Sequence, residues 1–144
     1  HTRLRTVTGV QTCALPISVC RGIRRVDAAL IVFGPFGSAL LRLAEREGLP
    51  TAAEVFADRA YAPDGSLVSR SVAGAVVHDP DTVAARALRF ATEHRVTAID
   101  GTELALRADT ICLHGDTPGA AILAARVRET LLRRGIRIRS VGDP

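Results

Sequence analysis

The sequence contains no lysine, so its 19 basic residues are all arginine. A mechanism that needs a lysine amine as nucleophile or Schiff base is therefore excluded within this chain. A GC-rich genome accounts for such a bias. Aromatic residues make up 3% of the chain, with no tryptophan and one tyrosine, which leaves no stacking platform of the kind single-stranded nucleic-acid binders use. The three cysteines, Cys13, Cys20 and Cys112, are odd in number and lack C-x-x-C spacing. Neither a disulfide framework nor a thiolate metal cage is indicated, and they read as reduced thiols. No apolar run approaches the roughly eighteen residues that a membrane-crossing helix needs. The opening HTRLRTVTGV also lacks the apolar core of a secretion signal, so the expected compartment is the cytoplasm, with no membrane partner.

What is present is ordinary for one globular domain: 144 residues, 47% hydrophobic and 24% charged, enough to build a core. The net charge is +4, but acids are interspersed among the arginines. Arg126, Arg128, Arg133, Arg134, Arg137 and Arg139 mostly lie opposite the Leu123, Val127 and Leu131 stripe. A solvated helix face explains them, and no nucleic-acid partner is expected.

From residue 26 the pattern alternates between strand and helix. VDAALIVF is a short apolar run of the kind a buried parallel strand shows. GPFGS links it to a helix with Phe36, Leu40, Leu43 and Ala44 on one stripe, ended by Gly48. A second strand covers AEVFAD, and residues 60–71 read as a loop turned by Pro63-Asp64-Gly65. GAVV is a third apolar run. Asp79-Pro80 then caps a helix whose Val83, Ala84, Ala87, Leu88 and Ala91 share a face. VTAID and ADTICLH are further strands, with Asp100-Gly101 turning the chain between them. Asp116 or Thr117 with Pro118 caps the last helix, which Gly135 ends. Such alternation predicts an α/β fold with a mainly parallel sheet, open or closed into a barrel.

Two stretches can carry chemistry. In EVFADR a strand points Glu54, Phe56 and Asp58 to one face and Val55 and Ala57 to the other. Asp58, Arg59 and Tyr61 then fall at the strand's carboxyl end, where parallel α/β folds bind ligands. The structural alternative is a salt bridge from Asp58 to Arg59 or Arg70 that pins the loop. In ICLHGD, Ile111 and Leu113 share one face, Cys112 and His114 the other. His114 at the strand end can act as acid, base or ligand, or be a satisfied core histidine. Cys112 reads as a small buried hydrophobe, and Asp116 as a helix cap. GPFGS is a weak anion-site signal that matches neither the P-loop nor the dinucleotide fingerprint.

Residues 7–17, VTGVQTCALPI, resemble a translated sequencing adapter. On that reading residues 1–17 are not native, and 18–144 form the C-terminal half of a single (β/α) barrel domain. EVFADRAY, DGSLVSR, the following GA, VTAIDG and ADTICLHGD, in this order and spacing, resemble the LamB/YcsF family, the A subunits of 5-oxoprolinase. The likeness runs from about Asp27 to about Ile138.

The resemblance implies a partial (β/α) barrel related to the polysaccharide-deacetylase architecture. It implies opening of the lactam of 5-oxoproline to glutamate, with ATP as cosubstrate of a complex that includes subunits B and C. The family's N-terminal motifs, which hold most of its acids and histidines, are missing, no metal set survives, and the isolated fragment is expected to be inactive. Within what remains, the resemblance favours Asp58, His114 and Glu54 as catalytic. It favours Arg59, Arg70, Tyr61 and Asp116 as substrate-binding, an arginine holding the substrate carboxylate. One alternative is a metal-dependent deacetylase-like hydrolase; the other is a noncatalytic assembly subunit.

Overall fold

The computed structural model describes residues 11–116 and 118–142. The chain divides after Ala53 into two compact units. In the first, α1 (Gln11–Val26) packs on α2 (Ala39–Arg46), with β1 (Val32–Pro35) beside them. Cys20, Val32, Leu41, Ala44, Leu49 and Ala53 form its core. The Ser38 hydroxyl caps α2 by accepting from the Leu41 N–H, which satisfies one of the free donors at the helix start. Gly48 follows that helix at a φ of 74°, in the left-handed region that glycine enters without a Cβ penalty.

The helix α1 begins at Gln11, within the segment read as not native; residues 1–10 lie outside the described residues. Two expectations change here. The run VDAALIVF becomes strand only from Val32. Before that, Val26 ends α1 and the Asp27 carboxylate accepts from the Ala29 N–H, a local turn that competes with extended pairing. The α2 stripe centres on Leu41 and Ala44, while Phe36 is exposed.

The strand β2 (Thr51–Phe56) crosses the division. In the second unit its Glu54, Val55 and Phe56 pair in parallel with Thr110, Ile111 and Cys112 of β5 (Thr110–Cys112). The helices α3 (Pro80–Glu93) and α4 (Ala120–Arg133) pack on each other over Ala57, Val83, Ala84, Ala87, Leu123, Val127 and Leu131. A separate cluster joins Val55, Phe56, Tyr61, Phe90, Val96 and Leu106. The α3 cap is the one read from sequence: Asp79 accepts from the Thr82 N–H at 2.8 Å, and Pro80 occupies the first turn.

VTAID does not join the parallel ladder. Its strand β3 (Arg95–Thr97) pairs antiparallel with β4 (Glu103–Ala105). Asp100 holds the turn, accepting from the Thr102 N–H, and Gly101 sits at a φ of 93°. A turn this short can join only antiparallel neighbours. GAVV forms no strand beyond an isolated bridge between Val76 and Arg59. The α4 N-terminus is Gly119, with no side-chain cap. Asp116 turns instead to Arg70, and Thr117 lies outside the described residues. The architecture is α/β with parallel strand pairing and helices.

Candidate functional site

The parallel pairing of β2 with β5 places the segments that follow both strands side by side. Just after β2 the chain turns, and Asp58 is completely buried in that turn. Its Oδ2 accepts from the His114 backbone N–H at 3.0 Å. The His114 ring turns back on the same carboxylate, with Nδ1 at 2.9 Å from Oδ2 and 3.1 Å from Oδ1. An ionised carboxylate only accepts, so Nδ1 carries the proton and the lone pair of the neutral imidazole is assigned to Nε2. Phe56 lies under the ring, centroids 5.5 Å apart and planes within 17°. His114 keeps 21% of its side chain exposed above this support. A histidine oriented by a buried carboxylate, with its other nitrogen available as a base, is an arrangement able to transfer protons. The expected loop-pinning bridge from Asp58 to an arginine gives way to this pairing with His114.

Glu54 is half-buried on β2, and its carboxylate hydrogen-bonds the Cys112 thiol. Burial, then the charges of Glu54 and Asp58, push that thiol up to about 11. Cys112 is therefore a protonated neighbour of the acids at neutral pH, and it is half-buried rather than a buried hydrophobe.

The remaining candidates separate into inward and outward groups. Arg59 is buried, its Nε donating to the Ala75 carbonyl and one Nη to the Val68 carbonyl. That geometry spends the guanidinium on holding the loop closed. Tyr61 is also buried, its hydroxyl accepting from the Phe56 N–H at 2.9 Å and its ring set edge-on to Phe90. Burial is the main reason its phenol is pushed up. Both side chains, expected against substrate, are thus buried and bonded to backbone groups of the loop and of β2. Arg70 and Asp116 face outward and pair at 3.0 Å across 46 residues, both well exposed. The hydrogen bond from Arg70 holds the Asp116 carboxyl below its ordinary value.

Arg86, on α3, is the residue that sequence reasoning missed. Its Nε donates to the Ala57 carbonyl at 2.9 Å and one Nη to the Arg59 carbonyl. These are the carbonyls on either side of Asp58. Its signal was faint: an arginine directly beside Ala87 on the edge of the apolar stripe.

A cleft of about 460 Å³ opens elsewhere in this unit, walled by Ile111 and Leu113 with residues of α3, α4 and the segment after α4. Cys112 packs instead against the cluster of Phe56 and Tyr61. Among the described residues no three His, Cys, Asp or Glu side chains gather as a metal-binding group. No described helix is long and apolar enough to cross a membrane.

The chain is 53% identical to the 5-oxoprolinase A subunit of Streptomyces coelicolor over 121 residues, 84% of this chain and 48% of that protein. It is 51% identical to the 5-oxoprolinase A subunit of Acinetobacter baylyi over 123 residues, 85% of this chain and 48% of the relative. The crystal structure of a lactam utilization protein from Thermus thermophilus superposes with a TM-score of 0.82 at 34% identity, covering 90% of this chain and 53% of that one. The chain thus spans about half the length of the relatives it matches. The LamB/YcsF family model matches residues 4–144. With sequence, backbone and family pattern agreeing over most of its length, the chain belongs to the LamB/YcsF family.

Proposed function

We propose that this chain supplies the C-terminal part of a 5-oxoprolinase A subunit, which opens the lactam of 5-oxoproline to glutamate with ATP hydrolysis. On this reading the remaining part of a longer A subunit completes a (β/α) barrel and its site, and subunits B and C complete the enzyme. The observation that carries the assignment of the chemistry is the Asp58–His114 pair, lying at the ends of adjacent parallel strands.

A lactam carbonyl is a poor electrophile, and transfer of a phosphoryl group from ATP to its oxygen would convert that oxygen into a leaving group. Water then adds to the carbonyl carbon, the ring C–N bond breaks as nitrogen takes up a proton, and a second water displaces phosphate from the resulting acyl phosphate, leaving glutamate, ADP and inorganic phosphate. In this scheme His114 Nε2 accepts the proton of the attacking water and returns it to the departing nitrogen. Asp58 holds Nδ1–H and balances the imidazolium as it forms. Arg70, exposed and held by a single carboxylate, is the arginine able to receive the substrate carboxylate. Glu54 faces the same site with Cys112 on its carboxylate.

The test is a graft. Residues 18–144 are joined to the N-terminal half of the Streptomyces coelicolor relative and co-expressed with that organism's remaining 5-oxoprolinase subunits. ATP-dependent release of glutamate from 5-oxoproline is the expected result. Asp58→Asn and His114→Ala should each lower it by about 10²–10⁴-fold, the usual worth of general acid–base catalysis. An assembled graft without turnover, or both variants running at the parental rate, refutes the proposal.

A further inference from the structure

Asp58 raises a question of charge. Its carboxylate is fully buried, and a buried ion is costly unless a counter-charge stands near it. His114 supplies hydrogen bonds, but in the neutral state that lets it act as a base it supplies no charge. The groups around the pair are Glu54 from β2, Tyr61 from the loop, Cys112 from β5 and Asp116 beyond His114, all neutral or negative. Arg59 points its guanidinium at loop carbonyls, and Arg70 points at Asp116.

Arg86 differs from both. Its planar fork binds the Ala57 and Arg59 carbonyls, so it brackets the residue between them. Burial pushes this guanidinium down, while Tyr61 and then Asp58 push it back up. The side chain thus enters from α3, on a helix anchored by the buried Val83, Ala84, Ala87 and Phe90, and delivers its charge where the turn carries the carboxylate.

We infer that Arg86 is a positioning residue for the Asp58–His114 pair, fixing the turn around Asp58 and supplying the standing positive charge that the carboxylate needs when His114 is neutral. The inference rests on the reading of that pair as the site, but its test does not require turnover. Two roles are separable by substitution. Arg86→Lys keeps the charge with fewer donors, and Arg86→Gln keeps amide donors without the charge.

The experiment follows the His114 ring by NMR pH titration in the 144-residue chain, with the signal assigned by its loss in His114→Ala. Removing a nearby cation favours imidazolium, so Arg86→Gln moves the titration midpoint to higher pH by about half a unit or more. Arg86→Lys leaves it within about 0.2 units of the parent. Equal midpoints in the parent and both variants show that the fork is structural alone and overturn the inference, as does an equal shift in both variants. If Arg86→Gln does not fold, the Asp58→Asn/Arg86→Gln double variant decides: recovery of folding supports a cation held for the carboxylate, and failure to recover overturns it. A parental glutamate-releasing activity missing from the graft would count against the functional reading and leave this titration intact.

Discussion

Asp58→Ala is the most informative single perturbation, because it removes the partner of two donors at once. The His114 backbone N–H and Nδ1–H both bond to this carboxylate, at 3.0 Å and 2.9 Å. A hydrogen bond to a charged group contributes about 1.5–3 kcal/mol, and a buried donor left without a partner costs about 1–3 kcal/mol. The side chain removed is small, so little is added for the cavity. The two bonds together put the loss at about 3–5 kcal/mol, the range found when one member of a buried pair is deleted. For a chain of this size that lowers Tm by on the order of 10 °C. Urea denaturation followed by circular dichroism measures it, with a double-mutant cycle against His114→Ala. The backbone N–H survives in His114→Ala, so the cycle isolates the ring contact, with a coupling of at least about 1.5 kcal/mol. A loss below about 1 kcal/mol with additive single variants refutes the pairing on which the site rests.

Tyr61→Phe leaves the buried Phe56 N–H without its acceptor and should cost about 1–3 kcal/mol, read as a lower urea midpoint with unchanged m-value. The Cys112 thiol, held near 11 against an ordinary 9.0, releases its proton more easily in the unfolded chain. Stability from this group is therefore intact below about 9 and falls as pH rises towards about 11, a slope that Cys112→Ala flattens in alkaline melts. Glu54→Gln removes one of the charges raising that thiol, so alkylation of Cys112 should speed up in mildly alkaline buffer. The Asp79 carboxyl is held low chiefly by the Thr82 hydroxyl and N–H. The cap is complete above the ordinary value of 3.8 and is lost as pH falls through the lowered one, so the deficit of Asp79→Ala should be largest near neutrality and disappear in acid.

Much of the candidate site's geometry was legible because its signals are local. Period-two patterning put Asp58 and His114 near the ends of their strands, and the parallel pairing of Glu54 with Thr110 brings those ends together. Caps were legible for the same reason: Asp79-Pro80 satisfies its own helix start within three residues. Where a cap depended on distant partners, the reading failed. Asp116 has the composition of a helix cap, yet it bonds to Arg70, 46 residues away.

Residue order alone sets the alternation of elements, the apolar faces of α3 and α4, and which residue types reach the carboxyl ends of β2 and β5. Long-range packing settles that Asp58 answers His114 rather than an arginine, and that Arg59 turns inward while Arg70 turns out. It also recruits Arg86 from a helix edge. Periodicity and capping depend on neighbours within a turn or two of chain. The partner of a buried charge depends on which packed surface excludes water around it, and no such surface exists until distant segments meet.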